Sequence, residues 1–193
     1  MMARPREFEP NQALTRAMAL FWQKGYEETS MADLVEATGV SRYGFYTEFG
    51  DKHDLFLKCI DHYANTAIEM ALSPLERADA SLAEIRAYFE QLLTAVHSQQ
   101  PPQGCLIGNT AISTPAWDEA TASRINHHYA RMRAAFLNAL QNAVQQDELA
   151  DSEDTEALTD YLVGVANGYL ACLRSMSPEA VERFIQVALE RLG

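Results

Sequence analysis

The chain has 193 residues, 48% of them apolar, and a formal net charge of −12. That length suits one large or two small domains with an ample buried core. No apolar run approaches the ~20 residues needed to span a bilayer, which excludes a helical membrane protein.

Glycine and proline are sparse, and Ala, Leu, Glu and Gln fill the long stretches. This composition favours an all-α fold, which the periodic apolar stretches divide into about nine helices. The opening Met-Met-Ala-Arg-Pro-Arg-Glu has no apolar h-region, so no secretory signal is expected. Cysteines at 59, 105 and 172 show neither paired nor metal-type spacing, which fits a reducing cytoplasm.

Residues 1–8 carry no periodicity and read as an arm with Arg4 and Arg6. Leu14, Ala17, Met18, Phe21 and Trp22 mark the buried face of a first helix. Residues 29–49 read as two short helices joined by a tight turn. Ser30 caps the first, since its hydroxyl can accept a free backbone N–H, and Met31, Leu34 and Val35 follow at helical spacing. Gly39 can take positive φ and ends that helix. Val40 fills the corner, Ser41 caps the second helix, and Phe45 and Phe49 form its buried face. Arg42, Tyr43 and Gly44 are left at its exposed start. This is a helix-turn-helix, whose second helix lays its first residues on base edges in the DNA major groove.

Asp51 precedes a long helix with Leu55, Phe56, Cys59, Ile60, Tyr63, Ala67 and Met70 at three-to-four spacing, breaking near Ser73-Pro74. Another amphipathic helix is predicted over 81–98, with Leu82, Ile85, Phe89, Leu92, Leu93 and Val96 inward. A Pro/Gly loop at 99–104 and a short helix from Cys105 follow. The stripe Ile125, Tyr129, Met132, Phe136, Leu140 and Val144 predicts one long helix over 117–146. An acidic turn at 147–154 leads to a helix over 155–175, whose apolar stripe is Leu158, Leu162, Val165, Tyr169 and Cys172. Cys59 and Cys172, on apolar stripes, read as inert core thiols. The last helix begins at Ser177-Pro178-Glu179, with proline where its missing N–H costs nothing. There is no internal repeat.

The arm Arg4-Pro5-Arg6, the helix ending Leu20-Phe21-Trp22-Gln23-Lys24-Gly25-Tyr26, and Gly39-Val40-Ser41 come in a distinctive order with Tyr46, Phe49, Asp51-Lys52 and Leu55-Phe56. On these residues, segment 1–60 resembles the DNA-binding domain of TetR/AcrR-type transcriptional regulators. Val35 stands where such motifs usually carry Ala, and Glu48 puts an acid near the expected phosphate track. The resemblance implies an N-terminal three-helix helix-turn-helix domain at 1–50 and a helical effector-binding and dimerisation domain at 51–193.

It also implies the partners: a palindromic operator in double-stranded DNA, a second copy of the chain, and an unidentified small-molecule effector. Charge accords with this division. Residues 1–60 sum to −2 and residues 61–193 to −10, while Arg4, Arg6, Arg42 and Lys52 fall where such a domain would meet DNA. Phosphate contact needs local positive charge, not a basic whole protein.

The expected DNA contacts are therefore Arg4, Arg6, Ser30, Ser41, Arg42, Tyr43, Gly44, Tyr46 and Lys52. Arg42 can pair with guanine or bridge phosphates, and Tyr43 can meet a thymine methyl or the backbone. Gly44 would let the sugar-phosphate chain approach. The resemblance assigns Tyr46 and Lys52 to phosphates, and Arg4 and Arg6 suit the minor groove, a contact-free tail being the alternative.

In the second part, Tyr88, Cys105, Asn109, Trp117, His128, Tyr129 and Met132 are candidate effector contacts, against an ordinary core role for each. Cys105 also suits a thiol sensor for electrophiles or oxidants, because a helix start favours thiolate; a packing thiol is the competing reading. His127 and His128 point about 100° apart and do not share a metal. Neither a metal nor a cofactor is expected. Tyr161, Gly164, Gly168 and Ala171 line a second, mostly small face on the helix over 155–175. With Phe184 they are the expected dimer interface, with a tight crossing inside the chain as the alternative.

Sequence alone thus points to a ligand-responsive repressor released from a palindromic operator. A helical enzyme and an inducer-free interaction module are the competing classes. No zincin motif, phosphate loop, nucleophile elbow or dinucleotide fingerprint supports an enzyme.

Overall fold

The computed structural model describes residues 8–98, 103–113, 117–173 and 176–192. The first helix, α1 (Pro10–Lys24), carries proline in its first turn and buries Ala13, Ala17 and Phe21 at i, i+4 spacing. In α2 (Met31–Thr38) the Ser30 hydroxyl accepts from the Asp33 N–H while the Asp33 carboxylate accepts from the Ser30 N–H. This reciprocal cap pulls the Asp33 carboxyl down to about 2, helped by Lys24. Gly39 ends α2 at φ 71°, a left-handed conformation that costs glycine nothing.

The next helix, α3 (Arg42–Phe49), starts at Ser41, whose hydroxyl accepts from the Gly44 N–H. Then α4 (Lys52–Tyr63) opens on a second reciprocal cap, Asp51 with Asp54.

From α4 the chain runs without a break through a π-helical turn, Ala64–Ile68, into α5 (Glu69–Leu72). A π turn holds more residues than an α turn and so rotates everything after it. The expected inward pair Ala67 and Met70 is displaced accordingly. Ile68 and Leu72 are buried, and Met70 is 72% exposed.

The body consists of α6 (Leu82–Ser98), α7 (Leu106–Ser113), α8 (Glu119–Gln145), α9 (Thr155–Cys172) and α10 (Pro178–Glu190). With α4, the π turn and α5 taken together, nine helices make up the described residues. Here α8 packs on α9 and α6, and α10 covers α9 and α6. The short α7 sits among α8, α9, α1 and α4. Arg124 on α8 reaches Asp61 on α4 with two hydrogen bonds of 2.7 and 2.8 Å. Arg131, two turns further along the same face of α8, holds both Glu69 and Glu76.

Two predicted stripes shift in register. On α8 the buried set is Thr121, Ile125, His128, Met132, Ala135, Phe136, Ala139, Leu140 and Ala143, with Tyr129 and Val144 only half-buried. On α9 it is Thr159, Leu162, Val165, Ala166 and Tyr169, and Cys172 is half-buried rather than a core thiol.

Candidate DNA-binding head and effector cavity

The two serine caps and the Gly39 turn fix α3 across α2, and Leu34, Val40, Phe45 and Phe49 fill the space beneath. Arg42 and Tyr43 then stand at the outer first turn of α3, with Tyr43 84% exposed and Tyr46 half out of the surface one turn on. Lys52 begins α4 nearby, its ammonium 4.3 Å from the centre of the Tyr26 ring. A cation over an aromatic face is held in place yet keeps its charge available.

Ser30 and Ser41 are exposed but spend their hydroxyls on caps. Gly44 departs from expectation. A Cβ there would lie 3.2 Å from the Ser41 Oγ and 3.3 Å from the Val40 Cγ1, with Phe8 beyond. The missing side chain makes room for this packing within the chain. Arg4 and Arg6 lie outside the described residues.

A cavity of about 200 Å³ opens where α1, the π turn, α6, α8 and α9 converge. Its wall includes Trp22, Tyr63, Ala67, Ile68, Tyr88, Cys105, His128, Met132 and Leu170, with Met70 and Gln91 on the exposed side. Of the candidate effector contacts, Tyr88, Cys105, His128 and Met132 thus share one wall.

Three other candidates are not on this wall. Trp117 donates its indole N–H to the Thr110 carbonyl at 2.8 Å and packs on Phe56 and Tyr26, at the junction of the head with the body. Asn109 donates to the Gln103 carbonyl and faces that same junction. Tyr129 points to a small separate crevice beside Asn167. Adjacent helical positions diverge by about 100°, so a helix that aims His128 at the cavity turns Tyr129 away.

Sequence reasoning missed Trp22, Tyr63 and the π-turn residues. Its spacing places Trp22 on the buried face of the first helix. Nothing in its local spacing signals a wall 40 or more residues away in the chain.

Cys105 is not the low-pKa thiol its position suggested. Burial pushes the thiol up, against smaller opposing hydrogen bonds from Gly108, Tyr63 and Ile107. Its sulfur serves as the cap of α7, accepting from the Gly108 N–H at 3.4 Å. Desolvation of the thiolate outweighs the helix-start effect because the site is enclosed.

His128 also departs from the satisfied core histidine that its position allowed. It is 3% exposed, and neither ring nitrogen has a partner among the described residues. Burial, then Arg131 and His127, lower its pKa to about 4, so the ring is neutral at physiological pH.

On the outside of α9 and α10, Tyr161, Phe184 and Val187 form an exposed apolar face, with Gly164 and Ala171 among them. A Cβ on Gly164 would meet nothing within 4 Å, and one on Gly168 would only touch Phe184 at 3.9 Å. The tight crossing within the chain is therefore absent among the described residues, and the small-residue face points outward.

Comparison with known proteins agrees with this architecture. Residues 13–59 match the model for bacterial regulatory proteins of the tetR family, and residues 81–188 match the tetracyclin repressor-like C-terminal domain. The HTH-type transcriptional repressor ComR of Escherichia coli (strain K12) is 31% identical over 188 residues, covering 96% of this chain and 88% of ComR. The uncharacterized HTH-type transcriptional regulator YezE of Bacillus subtilis (strain 168) is 32% identical over 163 residues, covering 83% and 84%.

Among solved structures, a cysteine mutant of the TetR family regulator CifR with 26-base-pair operator DNA superimposes with a TM-score of 0.86. It is 26% identical and covers 97% of this chain and 98% of that one. The two serine caps, the Gly39 turn, the exposed start of α3 and both family matches lead to one conclusion: the chain belongs to the TetR family of DNA-binding transcriptional regulators.

Proposed function

We propose that the protein is a repressor that binds a palindromic operator as a homodimer and lets go when a small molecule occupies the cavity. The observation that carries this reading is the outward first turn of α3, where Arg42 and Tyr43 project from a locally capped helix. Residues 1–50 are assigned to DNA, with Arg42 on bases, Tyr43, Tyr46 and Lys52 on backbone, and Arg4 and Arg6 in the adjoining minor groove. Residues 51–193 are assigned to effector binding and assembly. Tyr161, Gly164, Gly168, Ala171 and Phe184 meet their own counterparts across a two-fold axis, which sets two copies of α3 on two half-sites.

Coupling follows from Trp22, which belongs to α1 of the head and lines the cavity of the body. A ligand that displaces this ring shifts the head, provided it prefers the state that does not fit DNA.

The test is fluorescence anisotropy with DNA upstream of the protein's own coding region. A saturable, salt-sensitive complex with one dimer per palindrome supports the reading. Equal affinity for that DNA and for scrambled DNA refutes it.

A further inference from the structure

We propose that the cavity selects a small, uncharged ring compound carrying one hydroxyl group, with the ring among Trp22, Tyr88 and Met132 and the hydroxyl on His128. This rests on the reading of the cavity as the effector site and adds the chemical class of the effector.

Size comes first. A cavity of about 200 Å³ is modestly larger than the ~150 Å³ apolar cavity that takes one benzene ring, so a single ring with one or two small substituents fits. Charge comes second. Among the described wall residues there is no Asp, Glu, Lys or Arg. A carboxylate or an ammonium would enter without a counter-charge, and such burial is strongly disfavoured.

Polarity comes third. Three polar groups of the wall are already used. The Trp22 indole N–H donates to the Gln103 carbonyl, and the Cys105 sulfur accepts from the Gly108 N–H. The Tyr63 hydroxyl is engaged with Cys105 and the Leu106 backbone. His128 is different, because both ring nitrogens are buried and unpartnered. A neutral imidazole offers one N–H donor and one nitrogen acceptor. Neither nitrogen is open to water in the unliganded chain, so the ring must turn about its Cβ–Cγ bond to present one; a hydroxyl can then use either, donating to the acceptor or accepting from the N–H. Native proteins rarely leave such a group unmatched, and a ligand is one way to match it.

The π turn is an independent sign. Ala67 and Ile68 of Ala64–Ile68 line the same cavity, and π turns inside α-helices recur at functional sites.

The experiment is calorimetric titration of the intact protein at neutral pH with four compounds of nearly equal size: para-cresol, para-xylene, benzoate and benzylamine. The expected result is one para-cresol per chain, bound at least about tenfold more tightly than the other three. His128→Leu should bind para-cresol and para-xylene equally, and His128→Gln should restore part of the gap.

The ¹⁵N shifts of the His128 ring in the unmutated protein should move with para-cresol and not with para-xylene. This keeps the test decisive if a variant fails to fold. Equal binding of cresol and xylene, a charged compound binding best, no binding by any of the four, or unmoved ring shifts would overturn the proposal. Operator binding is measured separately without these compounds, so failure here leaves the DNA reading intact. Cresol binding that does not release the operator would instead sink the effector reading and spare the ligand class.

Discussion

The indole N–H of Trp22 donates to the Gln103 carbonyl at 3.2 Å, while its ring meets Tyr63 edge-on at 5.1 Å. One side chain of the DNA-binding head is thus fastened to the strand of chain that enters α7 and to the wall of the cavity. Movement of that wall has a direct mechanical route into α1, and α1 packs against both α2 and α4.

Trp22→Phe keeps a ring in the cavity wall and removes the hydrogen bond to Gln103. Loss of one such bond costs ~0.5–1.5 kcal/mol of stability. Operator affinity without effector should change little, and the effector concentration needed for release should rise. Paired anisotropy titrations with and without effector read this out. An unchanged effector response would show that coupling runs elsewhere, for example through Trp117 stacked on Phe56.

At the DNA surface, Arg42→Ala should lower specific operator affinity by ~1–3 kcal/mol, the range for one bidentate base contact. Lys52→Ala should weaken specific and scrambled DNA alike and reduce the salt slope by about one phosphate contact. Titrations at several salt concentrations separate the two behaviours. If both variants bind like the parent, α3 is not the reading helix.

Assembly is tested best at Phe184, which is 42% exposed in the single chain. Phe184→Glu puts a charge on the α9–α10 face and leaves the chain's own core untouched. Sedimentation velocity should show a shift toward monomer, with unchanged helical circular dichroism and weakened operator binding. Persistence of the dimer at low micromolar concentration would place the interface on another face.

His128 makes stability depend on pH. Its folded pKa of about 4 lies below the ordinary value of 6.5. Between these values the unfolded chain takes up a proton that the folded chain refuses, so stability falls as pH drops from about 6.5 to about 4. The shift corresponds to a loss on the order of 3 kcal/mol at most. His128→Leu should remove this part of the slope in urea unfolding measured across that window. An identical slope in the variant would mean that other groups carry the dependence.

Thiol chemistry should follow burial rather than proximity to a helix start. Cys59 and Cys105 are buried, with both thiols pushed up by desolvation, whereas Cys172 is half-buried. Iodoacetamide at neutral pH should therefore label Cys172 first, as mapped by mass spectrometry. Preferential labelling of Cys105 would revive a sensing role for it.

The sequence by itself determined the head. Ser30, Gly39 and Ser41 act through hydrogen bonds and dihedrals that span four residues or fewer, and the apolar stripes of α1, α2 and α3 report one buried side each. Such interactions are complete within the segment that encodes them, so they can be read from it. The small-residue face of α9 was legible for the same reason, as a periodic pattern.

Only the tertiary structure decided the cavity. Its wall draws Trp22 from α1, Ala67 and Ile68 from the π turn, Tyr88 from α6, and His128 and Met132 from α8. Whether His128 or Tyr129 faces that wall is a rotation of about 100° on one helix, set by what packs across from it. The π turn, which rotates Met70 outward and Ile68 inward, has no local signature in its residues. Cys105 lost its expected reactivity for the same kind of reason. The helix start that would favour its thiolate is local, but the burial that overrides it comes from distant helices closing over it.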